Sequence, residues 1–243
     1  MSQSPALRHN NVISILKEGI AGGWPICLGY FPIGIAFGVI AQKAGFTPVE
    51  VAFMSLVVFA GSAQFIGVSM LAAGAGIVPV VMTTFMVNLR HVLMSSSLSL
   101  HLGNMPRGWL SLFAYGVTDE SFALNSVRFR GSSWDWRRAL VLNHTANGAW
   151  IASTVAGGVC GGFIPAGAFG IDYALTAMFL CLIVFQVRGG LYVVIAFISG
   201  GVAVVLSLIM PGNAPVITAS MFAATAGMII KKMRSSREGD AAS

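Results

Sequence analysis

Four stretches without a single Asp, Glu, Lys or Arg limit what this chain can become: residues 19–42, 51–89, 139–171 and 189–230. A helix needs about 20 mostly apolar residues to cross a bilayer core, so the two longest runs each read as a hairpin of two spans. Charged residues are 9 % of the 243 residues, too few to cover a soluble surface, where about 25 % is usual. Hydrophobic residues at 56 % exclude a disordered chain. Cys27, Cys160 and Cys181 lie in apolar surroundings, which excludes a disulfide scaffold. The expected fold is an all-α polytopic membrane protein.

About eight transmembrane helices are expected, near 20–41, 49–73, 77–101, 109–127, 137–158, 172–187, 190–210 and 214–230. Thr47-Pro48 is read as the cap and first residue of the second span. Asp172 is read as the cap of the sixth. The expected organisation is a cytoplasmic N-terminal segment over 1–19, one transmembrane domain over 20–230 and a basic cytoplasmic tail over 231–243. Val12 to Ile20 is a candidate interfacial helix feeding the first span. With eight spans and the N-terminus inside, 11 of the 14 Lys and Arg residues fall on the inner side and two, Lys43 and Arg107, outside. That bias places both termini in the cytoplasm. The net charge of +6 thus reflects topology, and nucleic acid is not an expected partner.

The remaining cation, Arg90, falls within a span. Intramembrane charges cost about 2.5–3.5 kcal/mol on insertion scales, so they are functional candidates by default. The third span carries Asn88, Arg90 and His91, the fourth Asp119 and Glu120, the fifth Asn143, His144 and Asn147. Counted from the turn near residue 104, Arg90 and Asp119 lie at one depth, about 21 Å away at 1.5 Å per residue. They are a pairing candidate on antiparallel neighbours, and a purely structural ion pair meets the same arithmetic. Glu120 and His144 share a second depth, each 12 residues from position 132. Adjacent helical residues point about 100° apart, so Asp119 and Glu120 cannot share a role. Asp119 is level with a cation. Glu120 has none assigned and is the better candidate for a coupling proton. His91 and His144 are further proton-coupling candidates, against the plainer reading of helix-to-helix hydrogen bonds. No cluster has metal-ligand spacing, and neither a metal nor a cofactor is expected.

Two spans read as broken near mid-membrane. The first contains Pro25, Gly29, Pro32 and Gly34, and the second contains Gly61, Ser62 and Gln64. Freed backbone groups at such depth are tolerated only against protein or a cavity. Gly34 and Gly38 fit close helix packing instead.

The stretches Pro32-Ile33-Gly34-Ile35-Ala36-Phe37-Gly38, Ala60-Gly61-Ser62-Ala63-Gln64-Phe65, Asn88-Leu89-Arg90-His91, Thr118-Asp119-Glu120-Ser121-Phe122 and Asp172-Tyr173-Ala174-Leu175-Thr176-Ala177 resemble the AzlC family, the large subunits of branched-chain amino acid exporters. The resemblance implies export of Leu, Ile, Val and often Met across the bacterial cytoplasmic membrane. It also implies a small hydrophobic membrane partner of the AzlD type. The residues agree with an amino acid substrate. A zwitterion needs a cation or free amides for its carboxylate and an anion or carbonyls for its ammonium. Arg90, Asn88, Asp119, Gln64, Ser62 and Phe31 are the substrate-binding candidates. Phe31, Phe37, Phe59, Phe65 and Met86 are expected to line an apolar cavity. Two rival readings are a membrane channel and an intramembrane hydrolase with Ser62 as nucleophile and His91 or His144 as base.

Overall fold

The computed structural model describes residues 5–103, 105–131, 134–165 and 190–209, with scattered single residues between 170 and 230. It comprises two compact units, Met1–Met178 and Phe179–Ser243. Among the described residues all regular structure is helical. The first unit holds α1 (Pro5–Lys43), α2 (Pro48–Val57), α3 (Gly61–Ala72), α4 (Ile77–Ser99), α5 (Arg107–Tyr115), α6 (Asp119–Arg128) and α7 (Trp136–Cys160), which ends in a single 3-10 turn, Gly161–Phe163. The second unit holds α8 (Gly190–Ser207), where the seventh span is expected. The sixth and eighth expected spans, the basic tail and the Asp172 cap lie outside the described residues. Two helices, Val12–Lys43 and Ile77–Ser99, are long and apolar enough to cross a membrane.

Two expected spans are interrupted. The second divides into α2 and α3 around Val58, Phe59 and Ala60. Its entrance is as expected: Thr47 caps α2, its side chain accepting from the Glu50 amide while Glu50 accepts from the Thr47 amide, and Pro48 follows. The break itself contains Phe59 at φ 37°, a left-handed conformation that costs a bulky residue about 1–3 kcal/mol. Phe59 is held there in the core, its ring 6.4 Å from Tyr30 and 6.0 Å from Tyr115. The fourth span divides into α5 and α6 around Gly116, Val117 and Thr118. Its second half starts with a cap, the Thr118 side chain accepting from the Ser121 amide. At 1.5 Å per residue these four segments are each about 14–18 Å long, roughly half a bilayer core.

The first span is a correction. α1 runs unbroken for 39 residues through Pro25 and Pro32, and Val12–Ile20 is part of it rather than a separate helix. A proline inside a helix costs about 3 kcal/mol, and the support here is tertiary. α1 packs more extensively against α7 than any other helix pair. A Cβ added at Gly34 would overlap Ser153, one at Gly38 the Thr154 carbonyl, and one at Gly157 the Ile35 carbonyl. The two backbones touch, so Gly34 and Gly38 are packing residues, and the rigid pair carries α1 past its prolines.

Around that pair sits the core: Ile26, Tyr30, Phe37, Phe59, Phe65, Val68, Leu142 and Trp150. Phe37 stacks on Trp150 with centroids 6.1 Å apart and meets Phe65 edge-on at 5.1 Å. Phe37, Phe59 and Phe65 are thus packed core residues, not the lining of an open cavity. Phe31 and Met86 are exposed.

Candidate functional site

The two breaks and α4 build one polar cluster. Ser62 is in the first turn of α3 and Asp119 in the first turn of α6, so each stands at a helix N-terminus inside the first unit. Arg90, midway along α4, reaches both. Its Nη1 lies 2.9 Å from Asp119 Oδ2 and its Nη2 donates to Ser62 Oγ. Only the fork of a guanidinium can serve two acceptors on separate helices with planar geometry. The ion pair is partly open, the Arg90 and Asp119 side chains being 28 % and 22 % exposed. The next residue on α4, His91, places Nδ1 2.9 Å from the Val117 carbonyl in the second break. A carbonyl only accepts, so Nδ1 carries the proton there. α4 therefore grips both interruptions through consecutive residues.

The helix dipoles divide the charge unevenly. An N-terminus carries about half a positive charge. At α6 the first-turn carboxylates Asp119 and Glu120 oppose it. At α3 the cap residue is Ala60, no side chain caps the helix and its first turn has no acid. Arg90 adds to that end. The electrostatics thus favour an anion beside Gly61, Ser62 and Arg90 and a cation beside the two α6 carboxylates.

Glu120, expected at the same depth as His144, bonds elsewhere. Its Oε2 accepts from the Tyr30 hydroxyl at 2.7 Å, and that hydroxyl is also 2.8 Å from Thr118 Oγ1. His144 instead stacks on Tyr115, with centroids 6.2 Å apart. Gln64 is buried and occupied: its amide nitrogen donates to Ser55 at 3.1 Å, and its oxygen accepts from Trp150 Nε1 at 2.9 Å. Ser55 in turn meets Thr154, so Gln64 ties the first break to α7. Asn88, on the same helix as Arg90, has its Oδ1 buried and unpartnered. Phe31, 56 % exposed, does not join the cluster. Asn143 accepts from Asn125 at 2.9 Å, and Asn147 donates to the Tyr115 hydroxyl at 3.0 Å. Neither histidine bonds Ser62, whose hydroxyl faces Arg90, so a serine–base pair is not formed. No group of three metal-ligating side chains is found among the described residues.

Tyr30, Tyr115 and Thr118 are site residues that the sequence reading missed. The Tyr115 hydroxyl donates to the Leu56 carbonyl and so clasps the end of α5 to the end of α2. Thr118 had a readable signal: Gly116 followed by Thr118-Asp119-Glu120 is a helix start within an apolar run. The tyrosines had none.

A helical unit with half-length helices meeting at a partly buried cation fits the membrane-transport class of proteins. The chain belongs to the AzlC protein family, whose model matches residues 25–164 and so encloses every residue of the cluster. It is 30 % identical over 185 residues to the inner membrane protein YgaZ of Escherichia coli, covering 73 % of this chain and 76 % of that one. It is also 30 % identical over 167 residues to the branched-chain amino acid transport protein AzlC of Bacillus subtilis, covering 67 % of this chain and 64 % of that one. An uncharacterized membrane protein of Archaeoglobus fulgidus is 27 % identical over 180 residues. No solved structure matches the chain.

Proposed function

We propose that this chain is the large subunit of a secondary transporter that exports branched-chain and other apolar amino acids across the bacterial cytoplasmic membrane. The observation that carries the reading is the placement of Arg90 between the Ser62 and Asp119 helix ends. A substrate carboxylate takes the anion-favouring position at Gly61, Ser62 and Arg90, and the ammonium takes the α6 carboxylates. Each half of the zwitterion then competes with the Arg90–Asp119 pair, so binding opens the ion pair that links α4 to α6. Proton uptake by Glu120 removes one negative charge from the cation-favouring side and links a proton to the turnover. The name of the Bacillus subtilis relative supports the substrate class. Cytoplasmic termini and a small AzlD-type membrane partner complete the proposal. The 11:2 division of Lys and Arg supports the orientation.

Flux into proteoliposomes, with and without the small partner, tests the reading against a panel of amino acids. Saturable flux of Leu, Ile, Val or Met with mutual competition is expected. Non-saturating flux points to a channel, and no flux of any amino acid with the partner present overturns the proposal.

A further inference from the structure

Contacts along the α1–α7 pair fix where each interrupted helix enters. The two helices run parallel, Gly19 lying against Val141 and Gly38 against Thr154 and Gly158. One end of the pair carries the Arg138–Glu18 ion pair at 2.7 Å, and the other has Gln42 against Gly161. α2 starts at the Gln42 end, with Pro48 and Val51 beside Gly158. It runs inward to Ser55 beside Thr154, and the chain reaches Phe59 beside Tyr30. α3 then runs back: Gly61 faces Trp150, Gln64 bonds Ser55 and Phe65 meets Phe37. α2 and α3 are therefore two arms of a hairpin, not successive halves of one crossing.

α4 is antiparallel to α3, since Arg90 meets Ser62 and Thr84 faces Gly67. It ends at the Glu18 end, where Leu98 and Leu102 share a core with Ala139 and Leu140. α5 starts at that end, its Trp109 ring 6.3 Å from Trp136. It runs inward to Tyr115, whose hydroxyl meets the Leu56 carbonyl at the tip of the first hairpin. α6 runs back: Asn125 donates to Asn143 at 2.9 Å, Arg128 reaches Gly22, and Phe129 stacks on His101 with centroids 5.1 Å apart. The α4–α5 and α6–α7 connections thus lie at one end, which a full crossing between them forbids.

We infer that α2–α3 and α5–α6 are re-entrant hairpins that enter from opposite membrane faces and gate the Arg90 cluster, one from each face. α1, α4 and α7 are then the crossings of this unit. With the three spans expected beyond residue 171 they make six crossings instead of eight, and both termini stay on the inner side. The irregular backbone at the tips is tolerated because it is buried in protein, Phe59 being 2 % and Val117 0 % exposed. The hairpins also move Arg107 to the inner side and leave Lys43 alone outside, a steeper positive-inside bias. Displacing one hairpin opens the cluster to the face from which that hairpin enters, while the other keeps the opposite face shut. That is alternating access around a fixed site. The gating rests on the transport reading above; the hairpins do not.

The test uses a background lacking Cys27, Cys160 and Cys181. Arg107→Cys should react with an impermeant thiol reagent in inside-out vesicles, and Lys43→Cys in intact cells. Reaction of Arg107→Cys in intact cells overturns the hairpins whatever the flux. Each gate is then locked by a reversible disulfide. Ser55→Cys with Thr154→Cys pins the first hairpin to α7, and Asn125→Cys with Asn143→Cys pins the second. Ser62→Cys reports access to the cluster, and in the unlocked protein it should label from both faces. The first lock should abolish its labelling in intact cells only, and the second in inside-out vesicles only. Reduction should restore both, which shows that the locked proteins are folded. Labelling of the unlocked protein from one face alone, or locks that act on the same face or on neither, overturn the gates. The expected sidedness with no flux of any amino acid removes the transport reading and leaves the hairpins standing.

Discussion

Arg90 Nη1 and Asp119 Oδ2 lie 2.9 Å apart, on α4 and at the first residue of α6. The pair spans the junction of an unbroken helix with an interrupted one. The same guanidinium also holds Ser62 at the other interruption, so its loss would release two helix ends at once.

Arg90→Lys is expected to fold but to lose most transport, by about tenfold or more, since an ammonium cannot serve Ser62 and a carboxylate with the same planar fork. Arg90→Ala leaves Asp119 without its partner and should also lower stability, by about 1–3 kcal/mol for a partly open pair. Flux in proteoliposomes and thermal unfolding in detergent separate the two effects. Near-normal flux in Arg90→Lys would make the pair structural.

Glu120→Gln should abolish the dependence of uphill transport on a proton gradient while substrate exchange persists. Asp119→Asn should weaken substrate binding instead, because it removes the anion facing Arg90. Uphill flux at several external pH values, beside equilibrium exchange, reads both. The reverse assignment follows if Asp119→Asn alone removes the gradient dependence.

Gly38→Ala should destabilise the protein by about 1–3 kcal/mol or prevent folding, since the new methyl meets the Thr154 backbone oxygen across the α1–α7 contact. Gly29, on the same helix with nothing near its Cβ position, is the control. Gly29→Ala is expected to be neutral or to stabilise by about 0.5–1 kcal/mol. Equal melting temperatures for the two variants would contradict the packing assignment.

Gln64→Leu removes the acceptor of Trp150 Nε1 and the donor to Ser55. A buried group left unpaired costs about 1–3 kcal/mol, so a lower melting temperature is expected. The half-saturation concentration should stay near its normal value, because Gln64 is committed to the core. A large rise in that concentration without loss of stability would return Gln64 to the substrate site.

Arg107→Cys and a cysteine in the tail after Lys231 should react with an impermeant thiol reagent from the same side of the membrane, in a background lacking Cys27, Cys160 and Cys181. Labelling of the two from opposite sides would remove the hairpin topology and restore the eight-span one.

By itself the sequence determined the membrane class, the bounds of α4, α7 and α8 and the outer ends of α2 and α3 within a few residues, and the Arg90–Asp119 pair. Each of these rests on a one-dimensional quantity: the length of an apolar run, the rise per residue, or the distance from a turn. Equal depth is necessary for contact and says nothing of direction. That is why Arg90 and Asp119 meet while Glu120, also level with His144, turns to Tyr30. Helix rotation and the identity of the lateral neighbour decide that, and both come from packing. The same limit explains the breaks. Pro25 and Pro32 are strong local breakers, yet α1 continues because the glycine contacts with α7 hold it in place. The second span does break beside Gly61 as expected, with Phe59 held at positive φ between Tyr30 and Tyr115, whereas the break of the fourth span at Gly116 to Thr118 was not expected. Local propensities of a few kcal/mol were overridden by contacts between residues up to 122 positions apart, and only the tertiary structure could decide which won.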